Sequence, residues 1–146
     1  MLDRPRRVRD ATADEGYGLL TKLEGAVDEF KPAAVKPTVS VADLEKLDVR
    51  VGTIISVEDV AKSNKLLRLT VDFGDHRRTI LAGMKAEREN AQSLVGVQTL
   101  FVVNLEPRRM AGEVSEGMLF DLGYADGVLP TLPIPERPLP NGVRAG

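Results

Sequence analysis

The side chains best suited to specific chemistry in this chain are cations set in short clusters. Arg108 and Arg109 directly follow Pro107, and Lys65 stands between Lys62 and Arg68. Planar guanidinium groups suit bidentate contacts to phosphate oxygens and stacking on an exposed base, whereas lysines offer compact point charges. The chemistry on offer is therefore recognition of an anion. Lys65, with Lys62 and Arg68, either extends this cationic patch or protects an exposed strand edge. Asn104 and Ser115 bracket the arginine pair, and either hydrogen-bond the ligand or hold the turn through side-chain to backbone bonds. Glu116 is ill suited to phosphate, so it reads as orienting Arg108 or Arg109 or satisfying loop amides. Met118 offers an apolar contact or fills core. Arg50 reads as structural, paired with Asp48 or Asp72, and Lys85 and Arg88 as surface charge.

Other chemistries find little support. The chain has no cysteine, which removes thiol catalysis, disulfides and the usual zinc sites. His76 is the only histidine and falls between Asp75 and Arg77 just after Gly74, where it reads as a solvated turn residue. No glycine-rich phosphate loop and no metal-ligand spacing occurs, and Asp43 and Glu45 read as helix-start charges. No catalysis, cofactor or metal is expected. With 20 Lys and Arg against 22 Asp and Glu, the net charge of -2 does not mark a basic protein. A cationic face would have to be local, which is sufficient because charges beyond a Debye length of about 8 Å are largely screened. No apolar run approaches the roughly 20 residues of a bilayer span. The basic start of the chain, at Arg4, Arg6 and Arg7, has no apolar stretch after it. Membrane insertion is not expected, and the cytoplasm is the expected location.

At 146 residues the chain suits one domain with tails. Residues 1–37 read as a basic arm, an amphipathic helix over Asp14 to Phe30 (Leu19, Leu20, Leu23, Val27, Phe30) and a linker ended by prolines. Residues 38–146 read as the domain itself. A short helical turn, Ser40 to Leu47, leads into a strand over Val49 to Val60, with Gly52 where a barrel strand could bend. Leu66 to Phe73 alternates apolar and polar residues as a half-buried strand does, Thr79 to Ala82 gives a third, and Met84 to Leu94 reads as an inserted helix with Gly96 as its C-cap. Val97 to Val103 is the most continuous apolar run, followed by a loop over Asn104 to Glu116 and a fifth strand over Gly117 to Leu122. Five short strands with a helix between the third and fourth is the order of a mainly β, OB-fold Greek-key barrel. Beyond Gly127, five of the nine prolines interleave with Leu129, Leu132, Ile134 and Leu139. That tail should run extended and pack on the barrel or on a second subunit.

The string Leu47-Asp48-Val49-Arg50-Val51-Gly52-Thr53-Ile54 resembles the opening strand of the tRNA-binding domain family. Further landmarks follow in order: Lys65-Leu66, Val71-Asp72-Phe73-Gly74, Gly83, Leu94-Val95-Gly96, then Val103-Asn104-Leu105-Glu106-Pro107-Arg108-Arg109-Met110-Ala111-Gly112 and Ser115-Glu116-Gly117-Met118. That family comprises free-standing tRNA-binding dimers, the C-terminal domain of methionyl-tRNA synthetases and the CsaA-type export chaperone. The resemblance implies an OB barrel that binds tRNA through Lys65, Asn104, Arg108, Arg109, Ser115, Glu116 and Met118. The ending Pro138-Leu139-Pro140-Asn141-Gly142-Val143-Arg144 resembles the closing segment of the free-standing dimers and of CsaA, which implies a homodimer paired through Pro138, Pro140, Asn141 and Gly142, and the apolar tail residues Leu132 and Ile134 are expected to join them. Possible partners are an aminoacyl-tRNA synthetase or, in the chaperone branch, unfolded preproteins. The loop Ala61 to Lys65 lacks the proline and acidic residue common in the tRNA-binding branch, while Gly117-Met118 follows that branch. With 4% aromatics and no tryptophan, stacking platforms are scarce, so recognition of a folded RNA by backbone and shape is expected.

Overall fold

Leu67, Leu69 and Val71 alternate with Arg68, Thr70 and Asp72. In the computed structural model of the chain this alternation becomes strand β2 (Leu67–Asp72), with the first set buried and the second only partly so. The structure describes residues 30–146; the expected basic arm and the helix beginning at Asp14 lie outside them. The chain falls into two units, Met1–Lys36 and Pro37–Gly146, and every element below belongs to the second. In the first, residues 30–36 have no regular secondary structure and are exposed.

A single turn of helix, α1 (Val41–Leu44), opens the second unit, with Ser40 as N-cap accepting the Asp43 amide at 3.1 Å. Strand β1 (Val49–Asp59) pairs antiparallel with β2 along its second half and with β4 (Gln98–Val102) along its first. On the far side of β2 lies β3 (Arg77–Ala82), and on the far side of β4 lies β7 (Met118–Leu119). The order is β3-β2-β1-β4-β7, and β8 (Arg144–Ala145) fills the edge of β1 ahead of β2. This is a nearly closed, OB-like barrel of antiparallel strands. Ile54, Leu67, Leu69, Val71, Phe73, Ile80 and Phe101 form its core, and Phe73 meets Phe101 edge-on with centroids 5.5 Å apart.

A strand of this length must bend to serve two neighbours. The register shift lies between Ile54 and Ser56, a bulge, and not at Gly52. Gly52 is needed for another reason: a Cβ there would stand 2.5 Å from Val71 and 2.8 Å from Phe73. Between β3 and β4 the expected helix is replaced by two 3-10 turns, Lys85–Glu87 and Ala91–Leu94. Arg88 and Asn90 between them are extended, and the Asn90 carboxamide oxygen accepts the Gln92 amide at 3.1 Å, so the side chain starts a new turn where a helix would have continued. Met84 and Leu94 are buried at either end and tie the segment to the core. Gly96 stands just past Val95, the C-cap of the second turn, with a positive φ as expected of a capping glycine, and its amide donates to Ile54 O at 2.7 Å.

The expected loop after β4 contains a hairpin, β5 (Arg108–Met110) and β6 (Glu113–Ser115). The expected fifth strand forms its ladder only over Met118–Leu119, after which Leu122 makes an isolated bridge to Thr131. The proline-rich tail then lies along the sheet, held by backbone bonds at Thr131, Gly142 and Val143 and, between them, by side chains. Gln98 exchanges two bonds with the Leu139 backbone (2.6 and 3.0 Å), Thr99 donates to Pro133 O at 2.7 Å, and Asn141 Oδ1 accepts from Thr53 and Gln98. Prolines suit such a path because their carbonyls can accept and no amide is left over.

Candidate nucleic-acid interface

The hairpin β5–β6 is the element that carries Arg108 and Arg109. Its tip is a two-residue turn, Ala111 (φ 48°) and Gly112 (φ 80°), the left-handed pair that matches the twist of a tight hairpin. Arg108 pairs across the hairpin with Ser115 and Arg109 with Val114. Successive side chains leave a strand on opposite faces. Arg108 therefore shares the face of Ser115, which turns toward β3, and Arg109 shares the outer face of Val114. Both arginines are exposed, and among the described residues neither has a side-chain hydrogen bond or an ion pair. They present two differently directed cations instead of one paired clamp.

Other cations converge on the same hairpin. Arg68 on β2 reaches Glu113 at 2.7 Å and Glu58 at 3.2 Å, and Glu113 raises the Arg68 pKa more than any other group does. The Lys62 ammonium lies 3.8 Å from where a side chain would begin at Gly112, over the hairpin tip. Lys65 lies in the same β1–β2 connection. There Ser63 Oγ accepts the amides of Lys65 (3.1 Å) and Leu66 (3.0 Å), and Lys65 O accepts the amide of Lys85. The β1–β2 connection and the hairpin thus occupy one end of the barrel.

The polar residues read from sequence as either ligand contacts or turn supports have internal partners. Ser115, only 3% exposed, accepts the Leu81 amide at 3.0 Å and donates to Gly117 O at 2.9 Å. Glu116 accepts the Thr79 amide through its carboxylate, and its own amide donates to Thr79 O at 2.8 Å. Asn104 donates to Lys46 O at 2.7 Å and accepts the Asp48 amide at 2.8 Å, fixing the approach to β1. Met118 is 46% exposed on β7 and lies outside the core. Arg50 is paired with Asp48, at 2.9 and 3.0 Å, and not with Asp72, which accepts the Gly74 amide. That pairing holds the Asp48 carboxyl below its usual range, with the charges of Arg144 and Arg78 adding to it.

Two residues that sequence reasoning did not single out complete the arrangement: Glu113, the partner of Arg68, and Arg78. Arg78 Nη1 donates to Val103 O and to Glu116 O, and its Nε to His76 Nε2 at 3.0 Å. Neither residue stands in a local pattern that would reveal these contacts, since every partner but His76 is remote in sequence. His76 itself is exposed, stacked on Phe73 and hydrogen-bonded to Asp75.

Of the tail residues, Leu132 is packed in the barrel core, Asn141 is hydrogen-bonded to Thr53 and Gln98, and Gly142 takes φ 91° with its amide on Val51 O at 2.8 Å. Ile134, Pro138 and Pro140 stay exposed. An apolar groove of about 1260 Å³ runs between α1, β4 and β8, lined in part by Val41, Leu44, Leu47, Leu100, Phe120 and Val143. Among the described residues no group of three or more acidic or histidine side chains could hold a metal, and no helix is long and apolar enough to cross a membrane.

A family model described as a putative tRNA binding domain matches residues 49–144. The chain is 42% identical over 108 residues to the methionine–tRNA ligase of Chlorobium chlorochromatii, covering 74% of this chain and 15% of that protein. It is 36% identical over 125 residues to the corresponding ligase of Bacteroides fragilis, covering 84% and 18%. The chain thus spans less than a fifth of the length of these relatives. Among solved structures it is similar to a MetRS related protein from Pyrococcus horikoshii (TM-score 0.70, 30% identity, 76% of this chain and 100% of that one). It is also similar to the chaperone CsaA of Bacillus anthracis (TM-score 0.66, 31% identity, 75% and 100%).

Proposed function

Since the chain belongs to the putative tRNA binding domain family, we propose that it is a non-catalytic, cytoplasmic protein that binds folded tRNA through the end of the barrel formed by the β1–β2 connection and the β5–β6 hairpin. The carrying observation is that Lys62 and Arg68 reach the hairpin that carries Arg108 and Arg109, the last two without internal partners among the described residues, with Lys65 in the same β1–β2 connection as Lys62. Arg108 and Arg109 on opposite faces of a narrow hairpin suit two phosphate groups of a folded backbone better than one phosphate held bidentately. With Ser115, Glu116 and Asn104 engaged internally, their part is to hold the segment that carries the β5–β6 hairpin, while Met118 offers an apolar contact beside it. Recognition then rests on backbone charge and shape.

The protein acts as a homodimer in this reading, with Ile134, Pro138 and Pro140 and the apolar groove at hand for the second subunit, while Leu132, Asn141 and Gly142 hold the tail in the shape that presents them. Service as an accessory to an aminoacyl-tRNA synthetase is supported by the relatives, all of whose names above are methionine–tRNA ligases. A tethered weak binder can raise avidity by about 10² to 10⁴. The second reading is a CsaA-like chaperone that takes peptides or unfolded preproteins in the apolar groove, favoured by the groove itself and the likeness to CsaA.

Salt separates the two. Fluorescence anisotropy with bulk tRNA at two salt concentrations is expected to show affinity falling steeply with salt, whereas apolar peptide binding would hardly respond. Arg108→Ala with Arg109→Ala is expected to weaken binding and to reduce the salt slope by about one to two, since each phosphate contact contributes roughly 0.7 to 0.9. Unaltered affinity and slope in that variant would remove the hairpin from the interface.

A further inference from the structure

We propose that Arg78 is a positioning residue for RNA binding: one guanidinium group ties both ends of the arm from Asn104 to Ser115 to strand β3 and so fixes the direction in which Arg108 and Arg109 are presented. This rests on the reading of the hairpin as the RNA contact. The geometry begins where the ladder ends. Strands β4 and β7 are paired through Phe101–Leu119 and Val102–Met118, after which the two chains must diverge to make room for the arm. The amides at the divergence are already used, Val103 N on Asp48 O at 2.9 Å and Glu116 N on Thr79 O at 2.8 Å. Among the described residues no backbone amide donates to their carbonyls. Arg78 Nη1 donates to both, to the last residue before the arm and the first one after it.

The donor is itself oriented. Arg78 Nε donates to His76 Nε2 at 3.0 Å, and the imidazole is held by its stack on Phe73 and its contact with Asp75. Arg78 therefore carries the rigidity of β3 to the base of the arm. Near the other end of the arm, Arg68 holds Glu113, which belongs to the hairpin itself. A hairpin fixed at base and tip has few directions left to its exposed arginines, and preorganised ligating groups lose less freedom on binding. The two carbonyls share one amino nitrogen, Nη1, while Nε is fixed on His76; an ammonium has donors enough for the carbonyls but no second nitrogen for the imidazole, so nothing would orient it.

The test uses the full chain with two substitutions, Arg78→Met, which keeps the stem, and Arg78→Lys, which keeps the charge. Both are expected to weaken tRNA binding about tenfold, equivalent to about 1.4 kcal/mol, while the slope of log affinity against log salt stays at the wild-type value. A slope lowered by about one in Arg78→Met, with affinity restored in Arg78→Lys, would mean that Arg78 meets phosphate directly and would overturn the positioning role. Amide hydrogen exchange without RNA provides the second readout. Exchange is expected to quicken over residues 108–115 in both variants with β2 as protected as in the wild type. Unchanged exchange in the arm, or protection lost throughout the barrel, would overturn the proposal. If instead Arg108→Ala with Arg109→Ala leaves tRNA binding intact, the RNA reading of the hairpin fails on its own account, and the exchange data still decide whether Arg78 holds the arm.

Discussion

Strands β1 to β3 and the arm between β4 and β7 keep short strands in register by different means. In the first region apolar residues alternate along the chain, so that Leu67, Leu69 and Val71 all enter the core, and a slip by one residue would turn every one of them outward. In the second region the residues are Arg, Met, Ala, Gly, Glu, Val and Ser, and hardly any side chain reaches the core. Register there comes from polar anchors joined across long stretches of sequence: Ser115 to the Leu81 amide, Glu116 to the Thr79 amide, Arg78 to the carbonyls at Val103 and Glu116, and Arg68 to Glu113. An element with hardly any side chain in the core is not held by apolar burial along its own length. Its rigidity has to be supplied by neighbouring strands.

The contrast predicts a difference in size and reach. Leu69→Ala removes a side chain with no exposed surface from the middle of the core, and unfolding stability is expected to fall by about 2 to 5 kcal/mol. Ser115→Ala leaves the Leu81 amide without its acceptor inside the barrel, and the expected loss is smaller, about 1 to 3 kcal/mol. Urea denaturation compares the two directly. A loss at Ser115 equal to or above that at Leu69 would show that the seam between β3 and β6, and not the alternating core, limits the stability of the barrel.

The same contrast explains what could be read from the sequence. The barrel, its first three strands and the apolar run of β4 follow from period-two alternation and turn residues, which are local signals. The resemblance to the tRNA-binding domain family came from strings such as Val103 to Gly112, and those strings include the arm. What the arm residues do was not legible. Ser115, Glu116 and Asn104 had two open readings, and the choice depends on which strand lies opposite, a fact no local window contains. Arg78 had no signal at all, because two of its three hydrogen-bond acceptors are backbone carbonyls, which have no residue type. Between β3 and β4, helix formers suggested a helix, but the side chain of Asn90 captured the Gln92 amide and the segment broke into two turns.

That broken segment shows neither means of support at its centre, which gives the smallest predicted effect. Within it, one Glu87 carboxylate oxygen and the Arg88 Nε are buried with no hydrogen-bond partner among the described residues. Burial pushes the Glu87 carboxyl above its ordinary 4.5, the nearby Asp121 pushes the same way, and Arg88 opposes them only in part. A carboxyl whose folded value is raised is favoured by folding in its neutral form. Its contribution is complete below pH 4.5 and is lost as pH rises through the folded value, so at pH 7 an ionised Glu87 opposes folding. Glu87→Gln keeps the shape of the neutral acid and cannot ionise. The variant is therefore expected to exceed the wild type in urea midpoint at pH 7 and to lose that advantage below pH 4.5, whereas an equal gap at both pH values would assign the effect to packing and leave the unsupported charge without consequence.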